Sequence, residues 1–173
     1  MHPFFGTDFL CIGHRGASGL APENTLPAFE LAVALGVDAI ELDVHLCEGE
    51  LVVIHDDDLT RTTSGRGRVA TSTLAGLREL DAGDGNRIPL LTEVLDRVAD
   101  RCTLNIELKG AGTAGPVIDL LRRRGADPDR HLLSAFDHVE LEHARAAAPE
   151  FPRGALFGGV TGTRFRPPGP WTR

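Results

Sequence analysis

No run of apolar residues in this 173-residue sequence is long enough to span a bilayer, which takes about 20. The first residues, Met1 to Phe9, lack both the basic stretch and the apolar stretch of a secretory signal. These absences lead to the expectation of a soluble, cytoplasmic protein with no membrane span. Cysteine is scarce: Cys11, Cys47 and Cys102 cannot all pair, and their spacing is not that of a zinc site. Cys11 and Cys102 lie beside apolar runs and are expected to pack as buried thiols. Basic residues are outnumbered, 18 against 25 acidic, for a net charge of −7. That balance argues against nucleic acid as a partner. An anionic small molecule would then need a local cation or local basic side chains. Asp56-Asp57-Asp58 lacks the spacing and the closing glutamate of a calcium loop. No internal repeat is present.

What remains is an ordinary globular composition, 42% hydrophobic and 25% charged, of a length that suits one domain. Short β-like runs alternate with amphipathic helices, which predicts an α/β fold. Strands are expected at 8–13, 38–46, 51–54, 103–108, 132–135 and, weakly, 155–157. A helix opens at Asn24 or Thr25, with Pro27 in its first turn and Gly36 as its stop. Its apolar face is read as Ala28, Leu31, Ala32 and Leu35. Other helices are expected from a Thr92 cap, over 116–124, and after Asp137, where Glu140 completes a capping box. The stretch 57–89 reads as a loop with a short helix near 74–80. Only Cys47 to Glu50 separates two strands, too few residues for a parallel crossover, so a hairpin is expected there with His55 across from Glu41.

Strand side chains alternate between faces. In 38–46 one face carries Ile40, Leu42, Val44 and Leu46, and the other Ala39, Glu41, Asp43 and His45. In 103–109, Leu104, Ile106 and Leu108 oppose Asn105, Glu107 and Lys109. If the polar faces meet, Glu41, Asp43 and Glu107 form a cluster of hard oxygen ligands suited to Ca²⁺ or Mg²⁺. The alternative is ion pairing with Lys109, Arg15 or Arg61.

His14 and His55 fall where strands give way to loops, the end that lines the site in α/β folds. Two imidazoles beside a cation suit phosphodiester cleavage, one as base and one as acid. Gly13 and Gly16 would admit a ligand close to the backbone. Arg15 offers a bidentate fork to phosphate, Lys109 a point charge, and Asp56 a group that could orient His55. His2, His45, His131, His138 and His143 are read as surface or helix residues, with His45 a weak candidate for the site face.

The order and spacing of these residues resemble a known family. The segments are Gly-His-Arg-Gly-Ala-Ser-Gly at 13–19, Ala-Pro-Glu-Asn-Thr at 21–25 and Ala-Phe-Glu at 28–30. Glu-Leu-Asp-Val-His follows at 41–45, then His-Asp at 55–56, Leu59, Arg61-Thr-Thr63 and Gly67. Ile88-Pro-Leu-Leu-Thr-Glu-Val-Leu95 and Asn105-Ile-Glu-Leu-Lys109 complete the set. Over about 8–157 the chain resembles the glycerophosphodiester phosphodiesterases, phosphoric diester hydrolases of the phospholipase-C-like TIM-barrel group. The resemblance implies a TIM-type (β/α) barrel and a divalent cation, Ca²⁺ or Mg²⁺. It implies hydrolysis of deacylated phospholipids to glycerol 3-phosphate and an alcohol. It matches His14 and His55 to the acid–base pair, Glu41, Asp43 and Glu107 to metal ligands, and Arg15 and Lys109 to the phosphate. The 57–89 stretch corresponds to an insertion that helps cover the substrate.

After Phe157 the resemblance stops. The expected division is a barrel domain at 1–158 and a Gly/Pro/Arg-rich tail at 159–173, with six to seven of eight barrel strands. An open barrel leaves strand edges through which copies could form homo-oligomers. A competing expectation is a truncated, non-catalytic remnant that binds metal or a phosphodiester.

Overall fold

The computed structural model describes residues 10–158. The expected tail at 159–173, His2 and the first two residues of the expected first strand, 8 and 9, lie outside these residues. Six strands and five α-helices alternate: β1 (Ile12–His14), α1 (Leu26–Ala34), β2 (Ala39–Cys47), β3 (Glu50–Val53), α2 (Leu74–Glu79) and α3 (Leu91–Val98). They continue with β4 (Thr103–Leu108), α4 (Ala114–Arg123), β5 (His131–Ala135), α5 (His138–Ala147) and β6 (Arg153–Ala155).

One sheet holds all six strands. β1, β2, β4, β5 and β6 run parallel in that order, an arc of a TIM-type barrel with its helices on the outer face. β3 is the exception. It pairs antiparallel with the second half of β2, Val44 to Cys47, on the edge whose first half, Ala39 to Glu41, pairs with β1. The expected hairpin is therefore present. Its two-residue turn, Glu48-Gly49, has φ of 50° and 84°. Positive φ at both positions matches the twist of the flanking strands. The pairing of Val44 with Val53 runs one position out of the expected register, so His55 does not face Glu41.

The apolar strand faces pack under the helices. Ile40, Leu42, Val44, Leu104, Ile106 and Leu108 join Val94, Val98, Val117, Ile118, Leu121 and Phe29 in one core. Burying such side chains stabilises the fold by about 1.5–3 kcal/mol each. A smaller core of Val52, Ile54, Leu59, Val69, Leu77 and Ile88 seats the 57–89 segment against β3.

Several local expectations shift. β1 starts at Ile12 because Cys11 only begins the contact with β2, its carbonyl accepting from Asp38 and Ala39 N–H. Cys11 is exposed, whereas Cys47 and Cys102 are buried. On α1 the buried residues are Ala28, Phe29 and Ala32, while Leu35 at the C-terminal end points to solvent. α3 starts at Leu91, before Thr92, and Glu93 accepts from the Leu90 N–H at 2.8 Å. Asp137 caps α5 as expected, but Glu140 reaches across to α4 and accepts from Gly112 and Ala114 N–H, each at 2.8 Å. The last strand forms at Arg153–Ala155, beside β5, two residues earlier than expected. His131 is buried in β5, with Nδ1 2.8 Å from the Asp127 carbonyl, and is no surface residue.

Candidate active site

The parallel register of β2 and β4 sets Asp43 beside Glu107 and Glu41 beside Asn105. Alternation then turns all three carboxylates to the concave face. All are buried, and one oxygen from each lies within 4.8 Å of the others. Burial and the nearby Asp43 push the Glu41 carboxyl up to about 8, against the hydrogen bond from the Arg15 N–H.

Local cations do not complete this cluster. Lys109 Nζ donates to Glu107 Oε1 at 2.9 Å and stands 3.7 Å from Asp43 Oδ1. Arg15 Nη1 donates to Glu23 at 2.8 Å, and its Nε is 3.5 Å from Asp43 Oδ2. Arg61 is committed to Glu23 and Asp56. Glu41 Oε1 and Asp43 Oδ1 remain buried with no hydrogen-bond partner. Such orphans are costly, and two of them on adjacent carboxylates fit the donor set of a divalent cation.

The first imidazole, His14, closes β1, and a tight turn follows it. Arg15 (φ 55°) and Gly16 (φ 79°) reverse the chain, and the Arg15 N–H then donates to Glu41 Oε2 at 2.9 Å. A Cβ on Gly16 would lie 2.7 Å from the Ala28 carbonyl carbon, so the turn can press onto α1 only with glycine. His14 is left exposed, its Nε2 3.8 Å from Glu41 Oε2.

His55 follows β3. Its Nδ1 is 2.5 Å from Asp56 Oδ1 and its Nε2 is 3.2 Å from Lys109 Nζ. The lysine ammonium only donates, so Nε2 accepts and Nδ1 carries the proton that Asp56 takes as a hydrogen bond. The Arg61 guanidinium holds the Asp56 carboxyl far below the usual carboxylate range. His45, on the site strand, is buried, and burial lowers its pKa. Its Nε2 meets the His55 carbonyl at 3.1 Å and so steadies the chain at the second imidazole.

Three residues matter here to which the sequence assigned no part in the site. Asn24 (φ 57°) donates from Nδ2 to Asp43 Oδ2 at 2.8 Å and accepts from the Asp43 N–H at 3.4 Å. Glu23 joins Arg15 to Arg61. The Phe136 ring, exposed beyond β5, has Lys109 Nζ 5.8 Å from its centroid. Pro-Glu-Asn-Thr between strand and helix was the available signal for Glu23 and Asn24. Nothing in the pattern marks Phe136.

Residues 14–166 match the model of the glycerophosphoryl diester phosphodiesterase family. A glycerophosphodiester phosphodiesterase of Caldanaerobacter subterraneus subsp. tengcongensis is 40% identical over 162 residues, covering 86% of this chain and 66% of that protein. An Oleispira antarctica phosphodiesterase, solved in complex with the product sn-glycerol-3-phosphate, superposes with a TM-score of 0.80 at 35% identity. That match covers 87% of this chain and 67% of the other. A glycerophosphodiester phosphodiesterase from Agrobacterium tumefaciens gives 0.77 at 37% identity over 82% and 64%. The chain thus spans about two thirds of the length of the relatives it matches. With the family model matched over most of the chain and relatives this similar in sequence and fold, the protein belongs to the glycerophosphoryl diester phosphodiesterase family.

Proposed function

We propose that this chain hydrolyses glycerophosphodiesters to glycerol 3-phosphate and an alcohol, with a Ca²⁺ or Mg²⁺ ion as cofactor. The observation that carries the reading is the convergence of Glu41, Asp43 and Glu107 with two orphaned buried oxygens among them. These three carboxylates would hold the ion, which when bound neutralises charge on phosphoryl oxygens. Arg15 and Lys109 line the same face and bind the phosphate, the first as a fork and the second as a point charge. His14 and His55 divide the proton transfers. One takes a proton from the attacking oxygen, of water or of the neighbouring glycerol hydroxyl, and the other protonates the departing alkoxide. In His55 the group that does this is Nε2, because Asp56 holds Nδ1. The 57–89 segment reaches the site through Arg61 and covers one side of the substrate. We assign the protein to the cytoplasm, in keeping with its three free cysteines. Association of copies through the strand edges is also part of this reading, and light scattering of the purified chain tests it.

The decisive assay is release of glycerol 3-phosphate from glycerophosphocholine with Ca²⁺, Mg²⁺ or chelator. Turnover that needs an ion is expected. Turnover in chelator overturns the metal assignment. Ion binding without turnover leaves the second reading, a carboxylate site that binds metal or phosphodiester and does no chemistry.

A further inference from the structure

Both sides of the proposed site are tied together by side chains outside it. Arg61, on the 57–89 segment, donates from all three nitrogens of its guanidinium. Nε donates to Asp56 Oδ2 at 2.5 Å, and Nη1 and Nη2 donate to the two oxygens of Glu23, each at 2.8 Å. Glu23 Oε1 also accepts from Arg15 Nη1 at 2.8 Å. A continuous strap therefore runs from Arg15 through Glu23 and Arg61 to Asp56 and ends on His55 Nδ1. Its anchors come from three separate parts of the chain: the β1–α1 turn, the end of β3 and the covering segment.

We propose that Arg61 and Glu23 are positioning residues that fix His55 as the Nδ1–H tautomer and hold Arg15 in register with it. The physical argument is geometric. A carboxylate beside an imidazole can turn about its own bond and offer its oxygens elsewhere. Arg61 occupies Asp56 Oδ2, which leaves Oδ1 aimed at His55 Nδ1. With Nδ1 protonated, the lone pair of Nε2 faces the site, where Lys109 now meets it. Bidentate Arg–carboxylate pairing gives such a strap its directionality, which a lysine at position 61 could not copy. The side chain of Arg61 is 47% exposed. Its contribution is therefore to orientation and not to the stability of the fold. The same connections make the covering segment part of the acid–base apparatus: displacing 57–89 frees Asp56.

This inference rests on His55 acting in the proposed hydrolysis, so the test includes a readout that needs no turnover. The variants are Arg61→Met, Arg61→Lys and Glu23→Gln in the full chain. The first readout is the ¹⁵N chemical shifts of the His55 ring. Wild type is expected to show a single Nδ1–H tautomer, and Arg61→Met a mixture or the Nε2–H form. The second is steady-state hydrolysis of glycerophosphocholine at saturating ion. There kcat is expected to fall about 10- to 100-fold in Arg61→Met, because a wrong tautomer or a displacement near 1 Å is costly. Arg61→Lys is expected to recover little. Glu23→Gln, which also loosens Arg15, is expected to raise KM as well as lower kcat. Arg61→Met with wild-type ring shifts and kcat within about twofold of wild type would overturn the proposal. Wild-type protein without turnover counts against the hydrolase reading alone, and the ring shifts then decide whether the strap sets the tautomer.

Discussion

Replacing Glu41 by Gln should make the ion-free protein more stable at alkaline pH while destroying its affinity for divalent cations. Glu41 is 7% exposed, and burial together with Asp43 moves its carboxyl from 4.5 up to about 8. At 1.36 kcal/mol per pKa unit this corresponds to a ceiling of about 5 kcal/mol. The sign follows from linkage. Below about 4.5 the group is protonated in folded and unfolded chains alike and costs nothing. As pH rises from 4.5 towards 8, the unfolded chain ionises first, and the folded state loses stability throughout that window. Gln cannot ionise, and its amide oxygen can still accept from the Arg15 N–H that Glu41 Oε2 now takes. In chelator, thermal melts of Glu41→Gln and wild type should nearly coincide at pH 5. At pH 8 the variant should melt higher by up to about 10–20 °C, given roughly 2–4 °C per kcal/mol for a chain of this size. Millimolar Ca²⁺ or Mg²⁺ should raise the wild-type melting temperature and leave the variant's unmoved. A variant no better relative to wild type at pH 8 than at pH 5, or one that the ion stabilises equally, would refute the argument that burial and the neighbouring Asp43 make an ionised Glu41 costly in the ion-free fold.

Other outcomes follow from the same geometry. His14→Ala and His55→Ala should each reduce glycerophosphocholine turnover at least about 100-fold. His14 is exposed and His55 part-buried, so circular dichroism melts should show folding intact; retained turnover in both variants ends the acid–base assignment. Asn24→Leu leaves buried Asp43 Oδ2 without its amide donor. Urea unfolding should register a loss of roughly 1–3 kcal/mol, and calorimetric titration an ion affinity weakened about 10- to 100-fold. Unchanged ion affinity would show that Asn24 does not orient Asp43. Gly16→Ala places a methyl 2.7 Å from the Ala28 backbone at a φ of 79°. It should cost roughly 2–4 kcal/mol by denaturant titration and loosen the Arg15–Glu41 contact.

The sequence by itself determined which residues carry charge on which face. Period-two alternation in 38–46 and 103–109 was enough to set Glu41, Asp43 and Glu107 opposite an apolar face, because a strand has no other way to arrange them. The short Cys47–Glu50 link determined a hairpin, since no parallel crossover is that short. The His-Arg-Gly and Pro-Glu-Asn-Thr segments were legible as a family pattern. Tertiary structure decided what those faces meet. Neighbouring placement of β2 and β4, whose sequences lie about 60 residues apart, is a long-range pairing that local pattern does not encode. It brings three carboxylates within 4.8 Å. The same holds for Glu140, which has the local spacing of a capping box yet serves a different helix, because its carboxylate takes the N–H groups of Gly112 and Ala114 at the start of α4. Arg61 shows the limit most clearly. In the sequence it is an arginine of a polar loop, matched to the family pattern and offered as one possible ion-pair partner of the carboxylates. Only the folding of 57–89 back over β3 puts its guanidinium between Glu23 and Asp56, where fixed geometry and not composition gives it a part.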